Sequence, residues 1–398
     1  MKRSFLSIVM IPLPLTFLFL SFFSASPLVA VPFSRPSFSS LHSIQETSSF
    51  QLRAGPSPWI VSTLAGSGQP GNENGSGRTA RFNRPIGVAV NRMGELFISD
   101  RENHAIRKID RFGWVTTFAG GGSPGFSEGR GKKAFFHDPE MITVDPRGNL
   151  YVADAGNFRI RKITPDGTVS TVAGSGRPGN KEGPALEAEL VQPTGVAVAP
   201  DGSLYIADKG AHRIKRLTPH GIVMIVAGSG EPGYRDGLGY FAQFQEPVAV
   251  AVDDVGNLYI SDTGSHTVRR IDRDGIVMTV AGSGQPGDKD GLRAEAAFSH
   301  PSGIGIDPEG NLILSDSQNH RIRKITLPAG RVTTVAGNSQ PGGLDGIGPS
   351  SGFNLPNGIA VDLKGEIYVA DSANHRIRII QPEVTRVLNS AIGGSKGP

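Results

Sequence analysis

Oxygen-bearing side chains at one position of a repeated pattern are the strongest candidates for ligand chemistry in this sequence. Each copy of the pattern opens with a proline, and the residue after that proline differs from copy to copy: Ile86, Glu140, Thr194, Val248, Ser302 and Asn357. Calcium takes hard oxygen ligands. The candidate ligand-binding residues, with calcium as the candidate ion, are Glu140, Thr194, Ser302 and Asn357. The alternative is that these side chains line a cavity and are solvated by water.

Two residue types that often bind metals or catalyse reactions recur in nearly every copy. The aspartates are Asp100, Asp154, Asp208, Asp262, Asp316 and Asp371. The histidines, four residues later, are His104, His212, His266, His320 and His375, with Phe158 in the second copy. A residue that recurs in every copy meets a need of every copy, so we predict structural roles for both. The Asp oxygens should accept backbone N–H groups of the following turn, and the histidines should form hydrogen bonds in turns or between copies.

Aromatic residues are concentrated in the fourth of the long loops that join the copies. Tyr234, Tyr240 and Phe241 make this loop the most aromatic of the set, and we predict a contact patch for a ligand there. The alternative is that the three rings pack against their own part of the fold. In the first long loop, Asn74-Gly75-Ser76 is an N-glycosylation sequon, which matters only if the host is eukaryotic.

The elements that must position these residues are six copies of one unit. The aspartates are 54 residues apart, with 55 between the last two, and the prolines and six Ala-Gly pairs keep the same spacing. The third unit contains β-rich segments at 195–198, 204–207, 213–217 and 222–227, separated by turns. Four antiparallel strands followed by a long loop are typical of a propeller blade. We expect a bulge in the third strand, because Ile214 and Leu217 break its alternation.

The repeated strings resemble the NHL repeat family. The resemblance rests on GNLYVADAGNFRIRKI (148–163), GNLYISDTGSHTVRRI (256–271) and GEIYVADSANHRIRII (365–380), and it extends over residues 59 to about 380. It implies an all-β, six-bladed propeller with four-stranded antiparallel blades. For function it is less specific, because one fold hosts binding modules, sensor domains and enzymes.

The ring needs an outer strand for its last blade, and two segments of the chain could supply it. Residues 59–66 match the fourth-strand pattern with no first three strands before them, whereas the sixth unit ends after its third strand. An open edge invites aggregation, so we expect the N-terminal segment to close the ring. The competing segment, 387–391, is in register but has a degraded pattern.

Composition supports a turn-rich, all-β chain without cysteine chemistry. Glycine accounts for 53 of 398 residues and proline for 29, both above the usual ~7% and ~5%. The absence of cysteine excludes disulfides, thiolate metal sites and cysteine nucleophiles. Lysine and arginine exceed aspartate and glutamate by only four, so no nucleic-acid partner is expected, although pairs such as Arg107-Lys108 recur in the third strand.

The N-terminus has the layout of a secretory signal peptide. Lys2 and Arg3 precede an apolar stretch over residues 5–23, and small residues follow. We expect a signal peptide at 1–30, a linker without ordered structure at 31–58, the propeller at 59–381 and a tail at 382–398. The mature protein is then secreted, extracellular or periplasmic, and leaves the membrane after cleavage. The alternative is a signal anchor that stays in the bilayer.

Two functions remain open from the sequence. The first is a monomeric binding or scaffold module for a protein or glycan, which needs no cofactor. The second is a metal-dependent hydrolase or lyase with its ion near Glu140 and Asn357. That arrangement is loosely similar to the axial metal site of gluconolactonase-like and paraoxonase-like propeller enzymes, but Ile86 and Val248 interrupt it, and no histidine stands at a first-strand position as a general base.

Overall fold

Six antiparallel sheets follow one another along the chain and surround a central channel. A computed structural model describes residues 58–383. Each innermost strand contacts the innermost strands of both neighbouring blades, and that of blade 6 contacts that of blade 1. The innermost strands of blades 1 to 6 are Pro85–Val90, Pro139–Val144, Pro193–Val198, Pro247–Val252, Pro301–Ile306 and Pro356–Val361. The expected six-bladed, all-β propeller is confirmed.

The second and third strands of each blade are buried on both faces and form the middle of the sheet. The second strands are Leu96–Asp100, Leu150–Asp154, Leu204–Asp208, Leu258–Asp262, Leu312–Asp316 and Ile367–Asp371. The third strands are Ala105–Ile109, Arg159–Ile163, Arg213–Leu217, Thr267–Ile271, Arg321–Thr326 and Arg376–Pro382. Between them lies a single 3₁₀ turn: Arg101–Asn103, Ala155–Asn157, Lys209–Ala211, Thr263–Ser265, Ser317–Asn319 and Ser372–Asn374.

The fourth strands carry the bulge that the sequence analysis placed in the third. In blade 2 the third strand pairs without interruption with the second, whereas one residue of the fourth strand is skipped between the partners of Ile160 and Arg161. The extra residue therefore lies in the fourth strand, and the prediction was wrong in its position. The fourth strands are Trp114–Ala119, Thr168–Ala173, Ile222–Ala227, Ile276–Ala281, Arg331–Ala336 and, in blade 6, Trp59–Ala65.

The long loops add a fifth, two-residue strand to every blade, which the four-stranded expectation missed. These strands are Gly75–Ser76, Gly129–Arg130, Gly183–Pro184, Gly237–Leu238, Gly291–Leu292 and Gly346–Ile347. In five blades the residue before this strand is Asp or Glu, and its carboxylate accepts hydrogen bonds from the bulged part of the fourth strand; the Asp236 carboxylate, for example, accepts from Thr279 N–H at 3.0 Å. The Asp/Glu-Gly pairs therefore cover the blade edge as well as turning the chain.

Most of these loops also contain a 3₁₀ turn along the outer surface. In total four of the six long loops contain one: Gly131–Lys133, Gly239–Phe241, Arg293–Glu295 and Gly348–Ser350. The loops are anchored inside by the apolar residue three positions before each marker proline. These residues are all fully buried between blades: Phe82, Phe136, Leu190, Phe244, Phe298 and Phe353. Each loop is thus held at both its inner and its outer end.

The N-terminal segment closes the ring, as expected. Trp59–Ala65 pairs antiparallel with Arg376–Pro382 on one side and with Gly346–Ile347 on the other. Val61 is buried in a core cluster with Ile380 and Phe353. The competing segment 387–391 lies outside the described residues, as do the expected signal peptide, the linker up to residue 57 and the tail after residue 383. Within 58–383, no helix is long and apolar enough to cross a bilayer.

Candidate functional site at the mouth of the ring

The repeated aspartates are structural, but their partners differ in part from the expected ones. The Asp100 carboxylate accepts a hydrogen bond from Asn83 N–H, which lies in the preceding loop and not in the following turn, at 2.7 Å. From the following turn it accepts the side-chain amide of Asn103 at 2.8 Å. It also forms an ion pair with Arg107 at 2.7 Å, and neither side chain exceeds 1% exposure. Asp100 therefore joins a loop, a turn and the third strand.

The same buried ion pair occurs in all six blades, once with lysine. The further pairs are Asp154–Arg161, Asp208–Lys215, Asp262–Arg269, Asp316–Arg323 and Asp371–Arg378. Burial raises the pKa of Asp100, Asp262 and Asp316 to about 6, and the charge of the paired arginine opposes the shift. These six cations are enclosed in the blades and cannot serve as a surface for phosphate.

The repeated histidines connect neighbouring blades. Each lies in the left-handed conformation at the end of the 3₁₀ turn, and its Nδ1 accepts the backbone N–H of the residue before the next marker proline. These hydrogen bonds measure 3.1 to 3.2 Å, and the donor is named first in each pair: Asp138 and His104, Glu246 and His212, His300 and His266, Leu355 and His320, Arg84 and His375. The exception is Phe158, whose ring has no nitrogen acceptor. The corresponding backbone N–H, that of Gln192, donates to the carboxylate of Asp208 in its own blade at 2.8 Å.

A second set of contacts joins blades 4, 5 and 6 at the mouth, using the first residue of each 3₁₀ turn. Thr263 Oγ1 donates to the carbonyl of Pro301 in the next blade at 2.6 Å. Ser317 and Ser372 donate in the same way to the carbonyls of Pro356 and Pro85. In this half of the mouth, hydroxyl-to-carbonyl hydrogen bonds therefore join each blade to the next. The sequence analysis did not identify their donors.

Three of the four predicted oxygen ligands take part in such contacts between blades. Ser302 Oγ donates to Asn357 Oδ1 at 2.8 Å, and Asn357 Nδ2 donates to Ser372 Oγ at 3.0 Å. Thr194 is 3% exposed and donates to the carbonyl of Val248 at 3.0 Å. The structure brings Ser302 and Asn357 together but uses their polar atoms to join blades 5 and 6.

Glu140 is the fourth predicted oxygen ligand, and its environment is different. In blades 1 to 3 the first residue of the 3₁₀ turn has no hydroxyl group. The first residues of their 3₁₀ turns are Arg101, Ala155 and Lys209. Arg101 Nε lies 3.1 Å from Glu140 Oε1, and its Nη2 lies 3.5 Å from Asp138 Oδ2. Burial raises the pKa of Glu140, while the positive charge of Arg101 opposes the rise. The result is a half-buried carboxylate–guanidinium pair at the rim of the channel.

A cavity of about 240 Å³ opens beside this pair. Its lining includes Arg101, Asp138 and Glu140 together with Ala155, Phe158 and Gln192. The cavity lies where blade 2 departs from the repeat, since Ala155 replaces the hydroxyl residue and Phe158 replaces the histidine. We call Arg101, Asp138 and Glu140, with the cavity beside them, the mouth site. The sequence signal for its position is Phe158, the one departure from histidine at that repeat position.

The central channel offers no comparable chemistry. Its cavity of about 300 Å³ is lined by aliphatic side chains of the innermost strands, and Thr143 carries the only polar side chain among the described lining residues. Across residues 58–383, no group of three or more His, Cys, Asp or Glu is arranged to hold a metal ion. Charged groups in reach of a ligand thus occur at the mouth and not along the axis.

The predicted loop aromatics are exposed, and they lie on the outside of the blades. Tyr234, Tyr240 and Phe241 are 54%, 62% and 70% exposed. Tyr234 lies beside Gly284 of the next long loop. Tyr240 donates from its hydroxyl to the carbonyl of Ile225 in the outer strand of blade 3, at 3.3 Å. Tyr240 and Phe241 belong to the 3₁₀ turn Gly239–Phe241, which packs on that strand.

Asn74 of the sequon occupies the position of the acidic residue in the other blades. Its side chain is at the surface, but its Oδ1 accepts hydrogen bonds from Arg107 at 2.9 Å and from Thr117 at 3.3 Å. In blades 4, 5 and 6 an aspartate receives the corresponding arginine, as Asp236 does from Arg269 at 2.6 Å. Asn74 therefore has a structural partner whether or not it carries a glycan.

Comparison with known proteins agrees with the repeat pattern. The NHL repeat family model matches residues 82–109, 136–163, 190–217, 298–325 and 353–380. NHL repeat-containing protein 2 of Homo sapiens is 31% identical over 342 residues, which cover 76% of this chain and 47% of the relative. Protein SUPPRESSOR OF QUENCHING 1, chloroplastic, of Arabidopsis thaliana is 33% identical over 292 residues, which cover 68% of this chain and 28% of the relative. The chain spans less than half the length of these two relatives.

Solved structures share the fold at low sequence identity. A Bacteroides thetaiotaomicron protein of unknown function superimposes with a TM-score of 0.63 and 23% identity, over 81% of this chain and 76% of its own. An auxiliary nutrient binding protein from the same organism gives a TM-score of 0.62 and 19% identity, over 82% and 76%. At these identities the similarity shows the fold alone.

Proposed function

The chain belongs to the NHL repeat family, and we propose that its propeller is an exported binding module that holds a protein or another extracytoplasmic ligand at the mouth site. Export is proposed from the sequence, in which Lys2 and Arg3 precede an apolar stretch followed by small residues. The propeller is a fold on which binding surfaces are commonly built from loops and channel mouths.

The observation that carries the proposal is the difference between the two halves of the mouth. In blades 4 to 6, hydroxyl groups donate to backbone carbonyls of the neighbouring blade and are not available to donate to a ligand. In blades 1 to 3, the same position carries Arg101, Ala155 and Lys209. Arg101 pairs with Glu140 and Asp138 beside a cavity, and Lys209 pairs with Glu246. These charge pairs also join neighbouring blades, but Arg101 and Asp138 stay partly exposed beside the cavity, which is the feature expected of a recognition surface.

The size of the cavity favours a macromolecular ligand over a free small molecule. Pockets for drug-sized molecules measure about 300–1,000 Å³, and this cavity measures about 240 Å³. One protruding group of a larger partner would fill it. Arg101 can donate to an acidic or carbonyl group of that partner, and Asp138 and Glu140 can accept from a donor. A protein side chain or one sugar unit of a glycan meets both requirements.

The structural similarity to an auxiliary nutrient binding protein is compatible with this proposal at the level of the fold only. The relatives are more than twice as long as the matched region, so their whole-protein activities do not transfer with it. The proposal therefore depends on the residues of the mouth.

The experiment is affinity capture from the extracytoplasmic fraction of the source cells, followed by titration of each captured and purified partner. The test variant is the double substitution Arg101→Ser with Glu140→Gln, which removes both charges of the closer pair together and leaves only the partly exposed Asp138 without its arginine. The control is Arg147→Ser, since Arg147 is exposed in the turn between the first two strands of blade 2, at the opposite end of the innermost strand. We expect the double variant to weaken binding by tenfold or more, on the order found for lost charge pairs in interfaces, and the control to bind as the wild type does. Equal affinity of all three proteins, or no partner retained, would contradict the proposal.

A further inference from the structure

Two residues of blade 2 give the cavity of the mouth site an apolar wall. Phe158 stands where the other five blades have histidine, and its partly exposed ring lines the cavity. Ala155 begins the same 3₁₀ turn, at a position where the other five blades have a polar or charged residue. The methyl group of Ala155 leaves space beside the ring, and the ring has no nitrogen with which to bind the next blade. Blade 2 thus departs from the repeat twice at the same cavity.

Polar groups also line the cavity, and their hydrogen-bonding capacity is not fully used. Arg101 Nε lies 3.1 Å from Glu140 Oε1, but its hydrogen is not directed at that oxygen, and among the described residues this Nε has no hydrogen-bond partner. Gln192 is exposed at the same cavity. A buried donor that lacks a partner is costly. A ligand group that accepts from Arg101 and donates to Glu140 would therefore be bound favourably.

The charges around the cavity favour an uncharged ligand. The charged side chains that act on the Glu140 carboxylate are Arg101, Lys209, Asp138 and Arg84. Arg101 faces the carboxylates of both Asp138 and Glu140, and Lys209 lies 3.1 Å from the carboxylate of Glu246. An added ion of either sign would therefore meet groups that are already paired. A hydroxyl group donates to a carboxylate and accepts from a guanidinium at the same time, so a neutral hydroxyl compound fits these groups better than an ion does.

We propose that the ligand of the mouth site is a neutral sugar unit of a glycan, which stacks on Phe158 and places its hydroxyl groups on Arg101 and Glu140. This inference rests on the proposed binding function and names the class of its ligand. A pyranose ring has an apolar C–H face and an edge of neighbouring hydroxyl groups, whereas no amino-acid side chain carries two adjacent hydroxyls. Small-ligand sites combine aromatic and apolar walls with a few placed polar groups in the same way. The cavity of about 240 Å³ accommodates one such ring, with the rest of the glycan outside.

The other blades supply substitutions that remove the apolar wall in a form that the repeat accommodates. Ser317 and Ser372 stand at the position of Ala155 and donate to a carbonyl of the next blade. Histidine stands at the position of Phe158 in five blades, where its Nδ1 accepts the N–H that corresponds to that of Gln192. The pair Ala155→Ser with Phe158→His therefore gives blade 2 the side chains of its neighbours. The charged residues of the mouth site stay unchanged in this variant.

The test is binding of the purified protein to an array of neutral oligosaccharides, followed by calorimetric titration of the oligosaccharide that is retained most strongly. We expect the variant with Ala155→Ser and Phe158→His to bind it at least about tenfold more weakly than the wild type, because the apolar face of the sugar loses its contact. Phe158→Tyr keeps the ring and should bind as the wild type does. The control is Phe241→His, which removes a ring that is 70% exposed on the outer surface and should leave sugar binding unchanged.

Three outcomes would overturn the inference. The first is a wild-type protein that retains no neutral sugar on the array. The second is a sugar that the paired variant binds as strongly as the wild type does, because the sugar would then not stack on Phe158. The third is a captured protein that is released by the substitutions at Arg101 and Glu140 but that no sugar displaces. This third outcome would leave the proposed binding function in place, so the two proposals can fail separately.

Discussion

The guanidinium of Arg378 lies 2.7 Å from the carboxylate of Asp371, and both side chains are completely shielded from solvent. Arg378 also donates to the carbonyl of Gly352 at 2.9 Å and to Asp345 at 2.8 Å, so one side chain connects two strands and the long loop of blade 6. Blade 6 is the blade in which the two ends of the propeller meet. This pair is therefore placed where a local loss of structure would open the ring.

Removing one member of that pair should be strongly destabilising. We expect Asp371→Ala to lower the free energy of unfolding by about 3–5 kcal/mol, because Arg378 would remain as a buried charge without its partner. The measurement is urea denaturation followed by circular dichroism. Glu187→Gln is the matched control, since its ion pair with Lys181 is largely exposed and is worth at most about 1 kcal/mol. Equal losses in both variants would refute the argument.

The closing strand should contribute to global stability through its buried face. We expect Val61→Ala to cost on the order of 1–3 kcal/mol, since it removes two methyl groups from a site that is 1% exposed and leaves a cavity. Ser62→Ala, on the adjacent and partly exposed position, should change the free energy of unfolding by less than about 0.5 kcal/mol. If Val61→Ala has no effect, the N-terminal strand is not part of the cooperative unit.

The histidines between blades predict a loss of stability as the solution becomes acidic. Burial lowers the pKa of His320 below its ordinary value of 6.5, and its Nδ1 must be unprotonated to accept the Leu355 N–H. The unfolded chain therefore takes up the proton first, and the stabilisation is complete above pH 6.5 and lost as the pH falls through the folded pKa. His320→Phe, which copies Phe158, removes this dependence.

The comparison of wild type and His320→Phe isolates the histidine from the buried aspartates. Burial raises the pKa of Asp316 to about 6, so that group favours the folded state as the pH falls below about 6, opposite in sign to His320. Both proteins keep Asp316, and its contribution cancels in the difference. The difference in the free energy of unfolding between wild type and His320→Phe should be smaller at pH 5.5 than at pH 7.5. Parallel curves would exclude a linked proton at His320.

The charge pair of the mouth site can be tested without knowing the ligand. Arg101 holds the pKa of Glu140 lower than burial alone would set it, so Arg101→Ser should raise that pKa further. The measurement is the ¹³C chemical shift of the Glu140 carboxyl during a pH titration. Glu95, which pairs with Lys108 at 2.7 Å, serves as an internal control whose titration should not move. A Glu140 curve that does not shift would show that the two groups are not coupled.

The sequence predicted the architecture well, because every blade repeats the same constraints. Spacing alone located the six aspartates, and the unpaired fourth-strand pattern at 59–66 predicted how the ring closes. The two-residue fifth strands were missed because their Asp/Glu-Gly pairs have the composition of a turn. The pairing of those residues depends on an outer strand that is remote in sequence, which composition does not encode.

The partners of individual side chains were harder to predict than the strands. The Asp100 carboxylate was expected to accept backbone N–H groups of the following turn. It accepts instead the N–H of Asn83, which lies 17 residues earlier in the chain. Ser302 and Asn357 share a repeat position with Glu140, yet they bond to each other while Glu140 meets Arg101. The availability of each oxygen depends on the residue at a second repeat position, the first residue of the 3₁₀ turn, which is Ser372 in blade 6 and Arg101 in blade 1. The repeat spacing does not show which residues of the two positions meet.

The strand that closes the ring also sets an order of events during synthesis. Ile60 pairs with Gln381, so the first strand of the propeller to be made must wait for one of the last. At about 5–20 residues per second, the intervening chain takes roughly 15–60 s to emerge. Throughout that time the outer edge of Arg376–Pro382 does not yet exist, and Trp59–Ala65 has no partner in its own blade. The nascent chain therefore cannot close the ring until the strand Arg376–Pro382 has been made.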